Sequence, residues 1–462
     1  MAVLSSPGVG SGLDINGLVE KLVAAERAPQ QAQINRQQTS TVTTISALGT
    51  LKGALGSFQN ALTPLSTLSS ITSRSAVSSD PDTFTASATS SASPGSYDIE
   101  VLSVASAHQL STLGFLNGGA HVVGTGTLTI GVGTSNFQVA IPDTANTLAG
   151  IRDAINSAPG NDNLVRAIIV NGNDGAHLVL SSQVTGAANS ITVAADGGNG
   201  GLASLAFNPG LTTNYTQPRL AANSQVRIAG NIQDGSSATL TTAIDGVTLT
   251  LLEADVGQTH HLTISNDSSA VTARIRKFVD EFNSLGRQFT SLRGYEPATK
   301  RAGPLLGDSF LRAVETEVRS KLTDRVSGLS GNYQSLASIG IVSAKDGSLT
   351  LDDTKLQAAL TADYNGVAAI FGSENGVAAR LNTAIAPRLA NDAELDVRAK
   401  RLNAKSVSLQ KDLTNLDARM AKVESRYRAQ FNALDSLLSK LQSSSTFLTQ
   451  QLDSISKISI DK

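Results

Sequence analysis

The sequence predicts a multidomain α+β protein in which helices from both chain ends form a stalk and β-rich domains are inserted between them. Three observations carry this. Both ends of the 462-residue chain hold amphipathic helical patterns. The stretch from about 73 to 267 instead alternates apolar and polar residues in short runs. Aromatic residues make up only 4% of the chain and Trp is absent, so large anchors for one big core are few.

The chain opens MAVLSSPGVGSG, with neither the basic region nor the apolar run of a secretory leader. That blank fits a cytoplasmic protein and equally one exported by a machine that reads an unfolded N-terminus. Asp14 and Asn16 are N-cap candidates for a helix with Leu18, Leu22 and Ala25 on one face, which Pro29 is expected to interrupt. The following QQAQINRQQTST has almost nothing to bury and alone predicts disorder or a frayed helix. Ile45, Leu48, Leu51, Leu55, Phe58, Leu62 and Leu65 then recur at steps of three or four, the spacing of a helix with a narrow apolar stripe.

Strands are predicted next. Tyr97, Ile99 and Val101 alternate within a Ser/Thr/Ala-rich stretch. GTLTIGV, NFQVAI, RAIIVN, HLVLSS and NSITVAA are five short runs bounded by Gly, Asn, Asp and Pro. Thr147 caps one helix among them, with Leu148, Ile151 and Ile155 on its inner face. QVRIAG, ATLTTAI, VTLTLLE and HLTIS follow, with an Asp245–Gly246 turn. Helices then return. Val271, Ile275, Phe278, Phe282, Leu285 and Phe289 share one face, a second helix is capped by Asp308 or Ser309, and SIGIVSAKDGSLTLD reads as a hairpin turning at Asp346–Gly347.

The last 60 or so residues carry the clearest pattern. Leu402, Leu409, Leu413, Leu416, Met420, Val423, Tyr427, Phe431, Leu434, Leu438, Leu441, Leu448, Leu452 and Ile455 keep a heptad-like rhythm without an intervening Pro or Gly. The stripe is weakened by Ser406 and Ser445. Apolar stripes at both ends each need a partner, and pairing of the two termini is the simplest arrangement.

Composition excludes several functions. A net charge of −2 with mixed signs gives no nucleic-acid footprint. No window is apolar enough for a membrane span. Absence of Cys removes disulfides, thiolate metal sites and cysteine nucleophiles. His108, His121, His177, His260 and His261 form no metal motif, and no carboxylate cluster is expected beside them; His260 and His261 point to opposite faces of a strand. The glycine runs GVGSG at 8–12 and GGNGG at 197–201 read as turns, since neither has a dinucleotide or phosphate-loop context. No catalytic, cofactor or metal residues are assigned, and an enzyme is not expected.

GVGSGLDINGLVEKLVAAERAP, SALGTLKGALGSFQNAL, GPLLGDSFLRAVETEVRSKL, IGIVSAKDGSLTLDDTKLQAAL and QFNALDSLLSKLQSSSTFLTQQL together resemble the flagellar filament cap proteins, the flagellar hook-associated protein 2 family. The block from GTLTIGV to NSITV resembles an insertion module that flagellins and cap proteins share. The likeness runs through most of the chain in the family's order; residues 196–245 match no motif.

The resemblance implies a coiled-coil leg from 1–40 and 386–462, a mainly helical domain from 41–72 and 268–385, a β-rich head domain from 73–115 and 221–267, and an inserted β-rich head domain at 116–220. The leg contacts would be Leu18 and Leu22 with the C-terminal stripe from Leu402 to Leu452. It further implies a secreted, non-enzymatic protein at the distal tip of the bacterial flagellar filament. There a homo-oligomer of about four to six subunits, about five on the filament, would retain flagellin and promote its folding and polymerisation. Hook–filament junction proteins, a dedicated export chaperone and the flagellar type III export apparatus would be further partners; nucleic acid, membrane insertion and cofactors have no part. Other classes weighed are a different axial protein, such as flagellin or a junction protein, and a mucin-binding adhesin. Residues 271–325 and 335–372 speak against the former. No aromatic glycan platform supports the latter, which stays an expected secondary role within the family.

Overall fold

The computed structural model describes residues 14–210, 214–298 and 300–458. They fall into two compact units, one within 1–66, 275–356 and 373–462, the other formed by 67–274 and 357–372.

The first unit is built on two long helices, Ile15–Leu62 and Glu394–Ile458. The Asp14 carboxylate caps the first by accepting the Gly17 N–H at 2.9 Å. The expected break at Pro29 does not occur: Pro29 lies inside one continuous helix of 48 residues. Proline removes one helical donor and crowds the preceding turn. Here the turns on either side are held by the other helix, Arg27 by Asp417 and Gln30 by Arg419. The QQAQINRQQTST stretch is helical for the same reason, its partner being supplied within the chain.

Further along, Leu48, Leu51, Leu55, Phe58 and Leu62 bury fully, and Ile45 is half-buried. The Phe58 ring sits 5.8 Å from Phe278 and 5.9 Å from Phe282, whose helix, Ser268–Arg293, also buries Ile275, Leu285 and Phe289. Asp308, rather than Ser309, caps helix Ser309–Thr323 and also accepts both Nη atoms of Arg398, at 3.1 and 2.5 Å. The Arg398 bond, with the Leu311 amide adding to it, holds the Asp308 carboxyl below its ordinary value. The expected hairpin pairs Ile341–Ser343 with Leu349–Leu351, and the Asn283 side chain clamps it through Leu349 N and O at 2.7 and 2.8 Å.

Among its described residues the second unit holds fifteen antiparallel strands. They are β1 (Arg74–Ser78), β2 (Phe84–Ala88), β3 (Gly95–Ser103), β4 (Ala107–Thr112) and β5 (Gly126–Val132). Next come β6 (Ser135–Ile141), β7 (Val165–Gly172), β8 (Gly175–Thr185), β9 (Ile191–Asp196) and β10 (Tyr215–Arg219). The last are β11 (Ser224–Ile228), β12 (Asn231–Gly235), β13 (Thr239–Ile244), β14 (Val247–Leu251) and β15 (His260–Asn266).

Two separate cores result. Sheets β1-β15-β3-β11-β12 and β13-β14-β2 enclose Phe84, Ile99, Val101, Val226, Leu249 and Leu262. Sheets β10-β4-β8-β7 and β6-β5-β9, with helix Leu148–Ser157, enclose Leu110, Ile130, Phe137, Ile151, Leu178 and Phe207. The Thr147 hydroxyl caps that helix through the Gly150 amide at 3.1 Å. The chain enters and leaves the second core through one bridge, Ser106 to Ala222, bonded in both directions at 3.0 and 3.2 Å. The turn at Asp245–Gly246 forms as expected, with Gly246 at φ 73°. In the GGNGG run, Gly198 takes φ 69°, and a Cβ there would meet Thr125 O at 1.8 Å, so this turn admits only glycine. The other run, GVGSG at 8–12, lies outside the described residues.

Candidate functional site: the paired terminal helices

The two long helices of the first unit run antiparallel. Successive cross-contacts pair Asn16 with Arg428, Arg27 with Asp417, Gln38 with Ser406 and Lys52 with Asp396. On the C-terminal helix the inward positions are spaced by sevens in two interleaved rows, Leu402, Leu409, Leu416, Val423 and Ser406, Leu413, Met420, Tyr427. Leu416, Met420 and Val423 bury against Val23, Ile34 and Tyr427. Leu409 is buried, while Leu402 and Leu413 are half-buried.

On the N-terminal helix the inward face differs from the one expected. Ile15 and Val19 are buried and Val23 packs into the seam, whereas Leu18 and Leu22 are 44% and 40% exposed and Ala25 is exposed too. Val19 and Val23 continue from Ile15 at steps of four, so they sit one position round the helix from Leu18 and Leu22.

The middle of the seam is polar. Gln38 Nε2 donates to Ser406 Oγ at 2.8 Å, and Arg27 Nη2 meets Asp417 Oδ1 at 2.6 Å. Gln38 Oε1 and Arg27 Nε are buried with no partner among the described residues. Each such orphan costs on the order of 1–3 kcal/mol, so this seam is far weaker than a continuous Leu/Ile zipper.

Beyond Tyr427 the pattern changes. The stripe steps by four twice, from Val423 to Tyr427 to Phe431, and then resumes sevens along Leu434, Leu441 and Leu448 and along Phe431, Leu438, Ser445 and Leu452. Such an inserted step rotates an apolar stripe relative to its former partner. Phe431 and Leu438 are half-buried, and Leu434, Leu441, Leu448 and Leu452 are exposed, as are Leu437 and Phe447. The N-terminal helix starts at Ile15, level with Arg428, so no described residue of it stands opposite this second stripe. The Ile455 side chain lies outside the described residues.

Residues 11–108 match the family model described as flagellar hook-associated protein 2 N-terminus, and residues 221–443 match the corresponding C-terminus model. The chain belongs to the flagellar hook-associated protein 2 family. It is 34% identical to the B-type flagellar hook-associated protein 2 of Pseudomonas aeruginosa PAO1, over 97% of this chain and 98% of that relative. Identity to flagellar hook-associated protein 2 of Escherichia coli K12 is also 34%, over 98% and 99%. Among solved structures, the D1-D2-D3 domains of the flagellar cap protein FliD from Escherichia coli match with a TM-score of 0.67 and 32% identity. That match covers 77% of this chain and 99% of the other. A multidomain α+β fold is therefore common to this family member and its relative. Among the described residues, no helix is long and apolar enough to cross a membrane.

The histidines are placed by individual partners. His108 is buried, accepts the Ile191 amide at Nδ1 and lies 3.1 Å from Gln217 Oε1 through Nε2. His121 packs against Phe115, with ring centroids 4.8 Å apart and the rings tilted by 44°. His261 pairs with Asp98. The expectation that no carboxylates gather beside a histidine is corrected at His260, which has Asp255 at 3.0 Å and Asp80 at 3.7 Å. Asp255 and His260 are five positions apart, and Asp80 joins them from far along the sequence through the pairing of β1 with β15.

Proposed function

We propose that this chain is a non-enzymatic capping protein at the distal end of the bacterial flagellar filament. It acts there as a homo-oligomer that retains exported flagellin and promotes its folding and polymerisation. The observation that carries this beyond family membership is the second stripe on helix Glu394–Ile458. Leu434, Leu441 and Leu448 lie seven apart with Leu452 one turn further on, all exposed and with no described residue of the N-terminal helix opposite them. Apolar surface loses about 25 cal/mol per Å² when left in water, so a stripe of this length favours assembly. Its occupants are other subunits of the cap and the axial proteins at the tip, flagellin and the junction proteins. The polar seam of the first stripe supports the same reading. A helix pair held weakly can open and close as each new subunit passes, because ordering on contact lowers net affinity. Delivery through the type III export apparatus with a dedicated chaperone, and a location outside the cell at the filament tip, complete the proposal. We further propose that 1–40 with 386–462 act as the leg, 41–72 with 268–385 as the helical domain, and the two β-cores as the head.

Gold labelling of an epitope-tagged chain on isolated filaments tests this. Label confined to one distal end is expected. Label along the filament would make the chain a filament subunit, and label only at the base would make it a junction protein.

A further inference from the structure

Three side chains of types that ligate metals meet at one end of the first β-core of the second unit. Asp80 lies in the turn after β1, Asp255 in the loop after β14, and His260 opens β15. One ligand atom from each lies within 4.8 Å of the others. The His260 side chain is only 16% exposed, so bulk water does little to separate it from the two carboxylates.

The hydrogen-bond inventory does not close at this imidazole. Neutral imidazole carries one N–H. Nε2 stands 3.0 Å from Asp255 Oδ2 and Nδ1 stands 3.7 Å from Asp80 Oδ2. Whichever nitrogen carries the proton, the other turns a lone pair toward a carboxylate oxygen. A cation between them converts that repulsion into ligation. The Nδ1 to Oδ2 separation is too long for a hydrogen bond. An ion takes one ring nitrogen only, and the 3.0 Å at Nε2 and 3.7 Å at Nδ1 bracket the roughly 3.4 Å between two ligand atoms on a tetrahedral metal with bonds of about 2.1 Å.

The Asp80 carboxylate and the Asp255 backbone are also held in place. The Asp80 N–H donates to the Ser78 hydroxyl at 3.1 Å, and the Asp80 carbonyl accepts from that hydroxyl at 2.9 Å. Its carboxylate accepts the Thr83 hydroxyl at 2.8 Å and the Asp82 amide at 3.2 Å. The Asp255 amide donates to Val101 O at 2.9 Å. Such second contacts orient metal ligands.

We propose that Asp80, Asp255 and His260 bind a divalent first-row cation, with Zn²⁺ the best fit to one imidazole and two carboxylates, water completing the shell. The ion ties the turn after β1 to the loop before β15. In a chain without cysteine, where no disulfide can staple these loops, it is the available cross-link.

The test uses the full-length chain, stripped with a chelator and titrated with ZnCl₂ by calorimetry, with the thermal melt followed in parallel. A single saturable site that raises the melting temperature is expected. His260→Gln and Asp80→Asn should each weaken it at least tenfold. His261→Gln, whose ring pairs instead with Asp98 at 2.9 Å, should bind as the parent does. If His260→Gln does not fold, Asp80→Asn carries the test, because Asn keeps an oxygen acceptor for the Asp82 amide. A parent with no saturable site, or variants that bind as tightly as the parent, would overturn the proposal. Equal loss in His261→Gln would overturn it as well, by placing the ion elsewhere.

Discussion

Arg27 and Asp417, separated by 390 positions in the sequence, meet with 2.6 Å between Nη2 and Oδ1. Their contact fixes the register of the two terminal helices but contributes little to holding them. The side chains are 39% and 56% exposed, and ion pairs of that kind contribute about 0–1 kcal/mol. Leu416, one position before Asp417, is 3% exposed. Asp417→Ala should leave hydrogen exchange in 394–430 within a few-fold of the parent. Leu416→Ala should speed it by a factor equivalent to about 2 kcal/mol, the low end for a buried leucine, since a two-helix seam collapses more easily than a full core. Equal effects would mean that charge, not burial, holds the pair.

Pro29 lies inside a helix that closes around it. A helix-interior proline costs about 3 kcal/mol relative to alanine. Pro29→Ala should therefore raise protection across 20–40 and slow proteolysis there. Unchanged exchange would show that the turn at Pro29 is already open in solution.

These two positions also show what the sequence could and could not convey. Helices with dense apolar stripes, such as that carrying Phe278 and Phe282, were legible because their burial depends on their own spacing. Asp308 and Thr147 were legible as caps because the bond is local. Continuity through Pro29 was not, since it depends on contacts some 390 positions away. Nor was the choice of Val19 and Val23 over Leu18 and Leu22. Both rows step by four, and only the partner's position selects one. The His260 cluster was hidden for the same reason, being assembled by strand pairing of β1, β3 and β15.

His177 offers a pH test of the second unit. Its Nδ1 lies 2.7 Å from the Thr112 carbonyl and its Nε2 2.9 Å from Asp174, so both nitrogens face acceptors. The Thr112 carbonyl first, and Asp174 second, raise its pKa above the ordinary histidine value. A raised folded pKa gives stability that is full below the unfolded value of about 6.5 and is lost as pH rises through the folded value. The melting temperature of the second unit should fall over that interval, and His177→Gln should flatten the fall. The lowered carboxyl of Asp308 acts in the other direction. Its contribution is present above about pH 4 and is lost as pH falls through its folded value. A parent profile that His177→Gln leaves unchanged would remove His177 as the cause.

The Ser106–Ala222 bridge brings the two ends of the second β-core together. Replacing 107–221 with a short Gly/Ser linker should leave a chain that melts cooperatively and retains the parent's helical signal. Loss of cooperative folding would show that the two β-cores depend on each other.

We propose that the second stripe of the C-terminal helix is the surface through which the cap assembles on the filament tip. Leu441 and Leu448 are 58% and 59% exposed in the single chain, so carboxylates there meet water and cost the monomer little. In an assembled seam the same carboxylates would be buried without partners, at a cost of several kcal/mol. The direct measurement is flagellin partitioning in cells that lack the native protein and express the Leu441→Asp, Leu448→Asp double variant. The purified variant is expected to keep the parent's helicity and melt, while most flagellin appears in the medium and the cells do not swim. Filaments of normal length and normal swimming, with the variant confirmed at their tips, would contradict it.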